Sequence, residues 1–543
     1  MGFFKFLLKL ILLSGIALSA VGLYFYDKHT APQLETESFT VNDVTGLNSF
    51  KVAKIVQPLS EQDIVDAINA STGAISIGGA RFSMGGQTAY PDSLHLDMRA
   101  FNQVVELDPE NRLVTVQSGI TWRQLQQYID PYDLSVKVMQ DFNNFSVGGS
   151  LSVNAHGRFV HEGAIINSVK SFRIVLANGK VYEASKDHNS ALFNGAIGGY
   201  GGLGVITHVT LELAANIALE RKVARLEFHQ FIDHFREHIL YDDDVVLHNA
   251  ILYPPSYESL LDVSWRKTEK PLTESARLHE KDSISIWKNI AVDMMSGSNL
   301  LKRLRKNLID PMIYRDDAVV WRNWETSYDL HDFGFISNDD QTLALRVYFV
   351  PIEEFEIFTL KMRDIFIRTD ADILNISIRY IPQDTSSLLA WARKDVFSFT
   401  IIYHLDKTQK SMHKSRDWST QLIQAAVDLG GSYYMPFQIH ESTEQFAQAY
   451  PEAGYFFRLK EQADPGNRFI NMLWLEHYAK NAQAKEAYYA ALQANRSERQ
   501  PDEPMHVGMF EDPQAPLVQT AQLDSSPQVV NIDGNKIESA TTE

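Results

Sequence analysis

The sequence predicts an α+β protein in two dissimilar parts, and two observations carry that reading. Residues 50–215 alternate short strand-like runs with Gly-rich turns and occasional amphipathic helices. Residues 220–430 instead carry longer strand-like runs with long helices between them, the pattern of an α+β layer with one open face.

In the first part, Glu61 to Ala70 reads as a helix, with Ile64, Val65 and Ile68 on one face. The alternating run Ala74-Ile75-Ser76-Ile77 reads as a short strand. It enters Gly78-Gly79-Ala80-Arg81-Phe82-Ser83-Met84-Gly85-Gly86, where amides unobstructed by side chains are able to cradle a phosphate. This loop leads through Tyr90-Pro91-Asp92-Ser93 into another strand. A dinucleotide-binding Rossmann loop would open a helix there, so a NAD-dependent dehydrogenase is disfavoured. A second helix starts at Thr121, with Trp122, Leu125, Tyr128 and Ile129 at helical spacing. The segment Phe172–Val181 turns at Asn178-Gly179 into a hairpin.

In the second part, strands are expected at Val245–Leu252, Thr342–Val350, Ile373–Tyr380 and Phe397–Tyr403. Helices are expected at Glu354–Thr369 and Ser415–Leu429. Residues 285–330 have no clear period and read as an insertion over the mouth of a site. Asp464-Pro465-Gly466-Asn467 stops a preceding helix. Residues 31–50 look like a polar tether, and the tail from about 500 is Pro-, Gln- and Asp-rich and reads as disordered.

Composition narrows the function. A net charge of −18 argues against nucleic acid as a partner, which needs clustered Lys and Arg. The absence of cysteine removes disulfides, thiolate nucleophiles and Cys-based metal sites, and no metal is expected. At the N-terminus, Lys5 and Lys9 precede an apolar run from Leu10 to Tyr26, at the short end of the ~17–25 residues that span a bilayer. Tyr24, Phe25 and Tyr26 suit an interfacial belt. A cleaved signal peptide is the rival, but the run continues past Ser19-Ala20, which favours an uncleaved single-pass anchor. Positive charge before the run predicts a body on the non-cytoplasmic side.

Five segments in order, Gly78–Gly86, Val116–Trp122, Val147–Gly157, Phe172–Val181 and Gly198–Thr207, resemble the FAD-binding domain of the vanillyl-alcohol oxidase / para-cresol methylhydroxylase superfamily. The likeness is greatest to decaprenylphosphoryl-ribose oxidases and aldonolactone (D-arabinono-lactone) oxidases. It implies an α+β fold with a two-part FAD-binding domain and an inserted α+β substrate cap, preceded here by one transmembrane helix. The corresponding division is an anchor at 1–30, the FAD domain at 31–218, the cap at 219–430, a return to the FAD domain at 431–480, and a helix and disordered tail at 481–543.

The resemblance implies FAD contacts from Gly78, Gly79, Ala80, Arg81, Phe82, Ser83, Met84, Ser118, Gly119, Ser146, Gly148, Gly149, Ser150, Ser152, His156, Gly157, Val205, Ile206 and Tyr434. Arg81 is the candidate extra cation beside the pyrophosphate. Phe82 occupies the position where covalent members carry a flavin-linked His. Phenylalanine has no nucleophile and cysteine is absent, so non-covalent FAD is expected.

His156-Gly157 resembles a pair that lies near the flavin ring in both families. His156 and His440 are candidates for the base that takes the substrate's hydroxyl proton, because imidazole titrates near working pH. Tyr348 and Arg346 share one face of a cap strand by period two and are candidates for substrate contact. Arg158, His161, Glu162, Arg379 and His404 are weaker ones. In Tyr433–His440, Phe437 stands where the phosphoribose oxidases keep a Lys, which leaves Gln438 or His440 for the polar role.

The expected function is oxidation of a C–OH group on a sugar-like or polyol substrate by hydride transfer to flavin N5, with oxygen or a quinone as acceptor. The alternatives are an aldonolactone oxidase and a membrane-tethered flavin-fold scaffold without catalysis. The missing Lys alone supports the scaffold, and intact phosphate loops argue against it.

Overall fold

The computed structural model describes residues 39–280, 297–314, 318–330 and 337–479. The expected anchor at 1–30 and the tail beyond 480 lie outside them. Among the described residues, no helix is long and apolar enough to cross a membrane.

The stretch read as a tether gains structure from Thr40, where Thr40–Asn42 pairs antiparallel with Ser49–Lys51. Val41 is fully buried, and the Asp43 carboxylate accepts from Thr45 and Asn48, which closes the intervening turn. Local polar bonding that a composition argument does not register thus converts part of a polar stretch into a hairpin.

Helix Glu61–Ala70 has a reciprocal capping box between Ser60 and Asp63 and buries Ile64 and Ile68. It packs on a three-stranded parallel sheet in which Leu94–Asp97 lies between Lys54–Val56 and Ile75–Gly78. A second, six-stranded antiparallel sheet follows. The long strand Gly204–Ala215 is central to it, paired with Leu113–Gln117 on one side and Val169–Leu176 on the other. The hairpin at Asn178-Gly179 joins Val169–Leu176 to Val181–Ser185, with Gly179 at φ 74°.

The cap is an eight-stranded antiparallel sheet. The four strands expected from sequence belong to it, as do Ala218–Glu227 and Ser259–Lys267, which pair residue for residue. In the first, the charged run Glu220-Arg221-Lys222 interrupts the apolar pattern that would mark a strand. Helices Phe355–Thr369 and Gln409–Asp428 lie together along one face of this sheet, burying Phe358, Met362, Trp418 and Leu422. The other face lines a cavity shared with the first domain.

The chain returns through Ser432–Tyr433, which still pairs with cap strand Gln341–Pro351. Helix Ala453–Ala463 then carries Lys460, whose buried ammonium donates to the carbonyls of Gly202 and Phe469 and to Asp464. Phe469 bridges Ile75 in parallel, so the last segment is fastened to the strand that precedes the Gly-rich loop.

Candidate active site

The Gly-rich loop begins where strand Ile75–Gly78 ends. Gly79 has no room for a side chain, since a Cβ there would sit 2.3 Å from Ser146 Oγ. Ala80 N–H donates to that same Oγ at 3.2 Å. Arg81 then takes a left-handed φ of 63°. Within the described residues, the amides of Arg81, Phe82 and Ser83 have no hydrogen-bond partner. Successive free amides at a left-handed turn form a concave anion site, and all three residues line the cavity.

The Arg81 side chain is held from behind. Its Nη2 lies 3.1 Å from Asp97 Oδ2 and donates to His95 Nε2 at 3.3 Å. Burial, reinforced by the Arg81 charge, lowers His95 to about 4, so its ring is neutral and accepts this bond. Asp97 also binds Arg99 at 2.6 Å. Burial would raise the Asp97 carboxyl, but these arginines hold it at about 2. Arg81 is therefore a charge already shared with Asp97 rather than a free cation.

The cavity measures about 540 Å³. Of the residues expected to contact FAD, Gly79, Ala80, Arg81, Phe82, Ser83, Met84, Ser118, Ser146, Gly148, Gly149, Ser152, His156, Ile206 and Tyr434 line it. Gly78, Gly119, Ser150, Gly157 and Val205 stand behind this lining. Gly119 is pressed against the Met98 carbonyl and Gly157 against that of Met139. Ser150 Oγ accepts from Trp122 Nε1 at 2.9 Å, and Val205 is core. Gly148 and Gly149 open the short helix Val147–Ser152 rather than a plain turn.

The segment 433–440 clamps onto the loop. Met84 N–H donates to the Pro436 carbonyl at 2.7 Å, and Gln87 Nε2 donates to the carbonyls of Met435 and Phe437. Gln438 also donates to the Met84 carbonyl. The clamp sets Phe437 and Tyr434 into the cavity wall. His156 lies beside Tyr434, its ring 5.0 Å from Trp391, 5.3 Å from Phe349 and 5.5 Å from Tyr434. Burial in this aromatic cage, with Arg379 nearby, lowers His156 to about 3. The expectation that it titrates near working pH does not hold here.

Arg346, Tyr348 and His440 are corrected in placement. Leu343, Leu345 and Val347 face the cavity, so by period two Arg346 and Tyr348 face the helical side of the sheet. Tyr348 is fully buried, its hydroxyl donating to the Ser419 carbonyl on helix Gln409–Asp428. His440 Nδ1 bonds Ser419 Oγ on the same helix, and burial together with Arg346 depresses its pKa strongly. His404 bonds Gln341, and His161 bonds the Asp242 carbonyl at the surface. Glu162 pairs with Lys137. None of these lines the cavity.

Two cavity carboxylates were not anticipated, Asp141 and Glu325. With Arg158 and Arg379 they form one chain of charge. Arg379 pairs with Asp141, Asp141 Oδ1 lies 3.4 Å from Arg158 Nε, and Arg158 Nη1 lies 2.6 Å from Glu325 Oε1. Tyr328 donates to Glu325 Oε2 at 3.2 Å. Burial raises the Glu325 carboxyl, although Arg158 opposes the shift. No local motif marks Asp141 or Glu325, because each has a pairing arginine more than a hundred residues away, Arg379 for Asp141 and Arg158 for Glu325.

An amide-lined Gly loop at the end of a short parallel sheet, facing a cavity that a separate antiparallel sheet roofs, is the arrangement of a flavin-binding protein. The profile described as FAD binding domain matches residues 52–185. The chain is 31% identical over 169 residues to decaprenylphosphoryl-beta-D-ribose oxidase of Mycolicibacterium smegmatis, covering 30% of this chain and 36% of that protein. It is 33% identical over 120 residues to the mitochondrial L-galactono-1,4-lactone dehydrogenase of Arabidopsis thaliana, covering 22% and 20%. To L-gulonolactone oxidase of Bos taurus it is 25% identical over 188 residues, covering 35% and 42%. The chain thus spans less than half the length of each of these relatives. Residues 52–185 thus match a FAD-binding domain, with FAD as cofactor, and these likenesses support a place among the FAD-binding oxidoreductases of the vanillyl-alcohol oxidase / para-cresol methylhydroxylase superfamily.

Proposed function

We propose that the protein is an FAD-dependent oxidoreductase that oxidises a C–OH group of a sugar-like or polyol substrate. The observation that carries this is the single cavity joining the free amides of Arg81–Ser83 to the charged chain Arg379–Asp141–Arg158–Glu325. The amides and the Ser146 side suit the pyrophosphate, while the cap end suits hydroxyl groups, with Asn249, Ser377 and Thr400 adding neutral polar contacts. Bound FAD supplies the hydride acceptor, at flavin N5.

The chain's own residues orient the substrate and move the proton. Arg158 and Arg379 donate to substrate oxygens while remaining neutralised by carboxylates. Glu325 is the proton acceptor in this reading, because burial moves its pKa toward working pH while it moves that of His156 away. His156, neutral in its aromatic cage, offers a hydrogen bond without a charge. Phe82 packs on Phe145 with ring centroids 4.3 Å apart and holds no nucleophile, which supports non-covalent FAD. An aldonolactone is the second substrate class, favoured by the likeness to L-gulonolactone oxidase and L-galactono-1,4-lactone dehydrogenase.

Oxygen or a quinone is the proposed final acceptor. The apolar run Leu10–Tyr26 supports a single-pass anchor with the body on the non-cytoplasmic side. Anaerobic addition of polyols, aldonolactones and prenyl-phosphate sugars to the yellow holoenzyme tests the reading. Bleaching of the flavin by one of these classes is expected, and a flavin that stays oxidised with all three would overturn it.

A further inference from the structure

Residues 299–314 bring Arg305 and Tyr314 to the wall of the cavity. The inner side is satisfied within the protein. Arg305 donates to the Leu374 carbonyl and to Asn375 Oδ1, Lys302 pairs with Asp372, and Tyr314 lines the cavity together with Arg305. The outer side carries a run of large apolar side chains in water. Leu300 is 76% exposed and Met312 70%, and Leu304, Leu308, Ile309 and Ile313 are exposed between and beside them. Leu300, Leu304, Leu308 and Met312 recur every fourth residue through consecutive helical segments Asn299–Leu304, Arg305–Ile309 and Asp310–Ile313. Such a row is one helix face, and a contiguous exposed apolar face marks a docking surface.

Charge identifies the occupant. The chain carries −18 overall, yet beside this row, with Lys302 paired to Asp372 and Arg305 to Asp310 on the inner side, Arg303 and Lys306 bring positive charge to the outer side. Arg303 is exposed and Lys306 half-buried beside the apolar row. An apolar helix face flanked by basic residues is the pattern of an interfacial helix that lies in the headgroup plane of an anionic membrane. A second copy of the chain fits less well. A two-fold contact would set Arg303 and Lys306 against their own counterparts. We infer that residues 299–313 dock on an anionic phospholipid surface, so that this wall of the cavity lies at the lipid interface.

The chain's lack of cysteine makes a single-label test possible. An environment-sensitive fluorophore is placed on Leu304→Cys in the full-length holoenzyme. A control carries it on Leu59→Cys, 71% exposed ahead of helix Glu61–Ala70. Both are mixed with phosphatidylcholine vesicles containing about one-third phosphatidylglycerol and a lipid-borne quencher. The Leu304 label should shift to the blue and lose most of its emission, and the Leu59 label should not. An N-terminal anchor tethers the body without immersing Leu304, so the two labels separate docking from tethering. Adding Arg303→Glu and Lys306→Glu should reduce the quenching several-fold. Equal quenching at both labels would overturn the inference, as would quenching indifferent to the charge reversals. Self-quenching that grows with protein per vesicle, without lipid quenching, would point to a second copy and overturn it as well.

Discussion

Arg158 Nη1 lies 2.6 Å from Glu325 Oε1 on the cavity wall, and Arg158 Nη2 donates to the backbone carbonyl of the same residue at 2.7 Å. One guanidinium thus fixes both the side chain and the main chain of Glu325, while its Nε reaches Asp141. This sets the carboxylate in one orientation toward the cavity and leaves its second oxygen to Tyr328. Burial works against ionisation and Arg158 works for it, with burial the stronger.

Glu325→Gln preserves shape and hydrogen bonding but cannot take a proton. It should keep FAD bound and slow anaerobic flavin reduction by about 10²–10⁴-fold, the usual cost of losing a general base. In the wild type, reduction should accelerate as pH rises through a value above the ordinary carboxylate range, and the variant should lose that rise. Stopped-flow reduction across pH measures both. A wild-type rate in the variant would remove Glu325 from the proton path.

His156 gives a stability prediction with a definite sign. Its folded pKa is about 3 against an ordinary 6.5, so the folded state resists protonation. The stability this contributes is present above pH 6.5 and is lost as pH falls from there toward 3. The shift corresponds to roughly 4–5 kcal/mol over the full range. His156→Gln should therefore show a flatter acid limb in urea-unfolding free energy between those values. Parallel limbs in the two proteins would show that another group governs acid unfolding.

How much of this was legible in the sequence depended on the range of the interactions. Helix Glu61–Ala70 and the hairpin at Asn178-Gly179 are specified by a capping box and a two-residue turn, so they could be read locally. The Gly-rich loop was legible for the same reason. The failures are non-local. Period two on Gln341–Pro351 showed that Arg346 and Tyr348 share a face, but not which face meets the cavity. That depends on helix Gln409–Asp428 covering the other side, and a strand buried on both faces hides the choice. Asp141 and Glu325 were invisible because their meaning lies in Arg379 and Arg158.

Gly79 tests the cofactor cradle. A methyl group there would lie 2.3 Å from Ser146 Oγ, closer than any real contact, so the loop or Ser146 must move. Gly79→Ala should lower the flavin content of purified protein and raise the Kd for FAD by at least ~10-fold, a cost of about 1.4 kcal/mol. Adding Ser146→Gly removes the obstruction and should restore part of the affinity. Unchanged flavin content in Gly79→Ala would mean that the pyrophosphate lies elsewhere.

Phe82 tests the attachment of the flavin. Its ring stacks at a tilt on Phe145, and no cysteine exists anywhere in the chain. Acid precipitation of the holoenzyme should leave all yellow colour in the supernatant. Colour retained in the pellet would require a covalent bond from a residue other than these.

Tyr348 and His440 test the placement of chemistry on one side of the cap sheet. Both bind Ser419, on the helix that covers the sheet's far face, through a hydroxyl–carbonyl bond of 3.3 Å and an imidazole–hydroxyl bond of 2.5 Å. Tyr348→Phe removes one buried hydrogen bond and should cost about 0.5–1.5 kcal/mol of stability. The flavin is then expected to be reduced at close to the wild-type rate, because no group facing the cavity has changed. His440→Ala should behave likewise, with lower thermal stability and an unaltered pH profile for reduction. Melting curves and stopped-flow traces on the same preparations separate the two effects. A large fall in reduction rate at unchanged stability, in either variant, would place that side chain in contact with the reacting groups and contradict the sheet-face assignment.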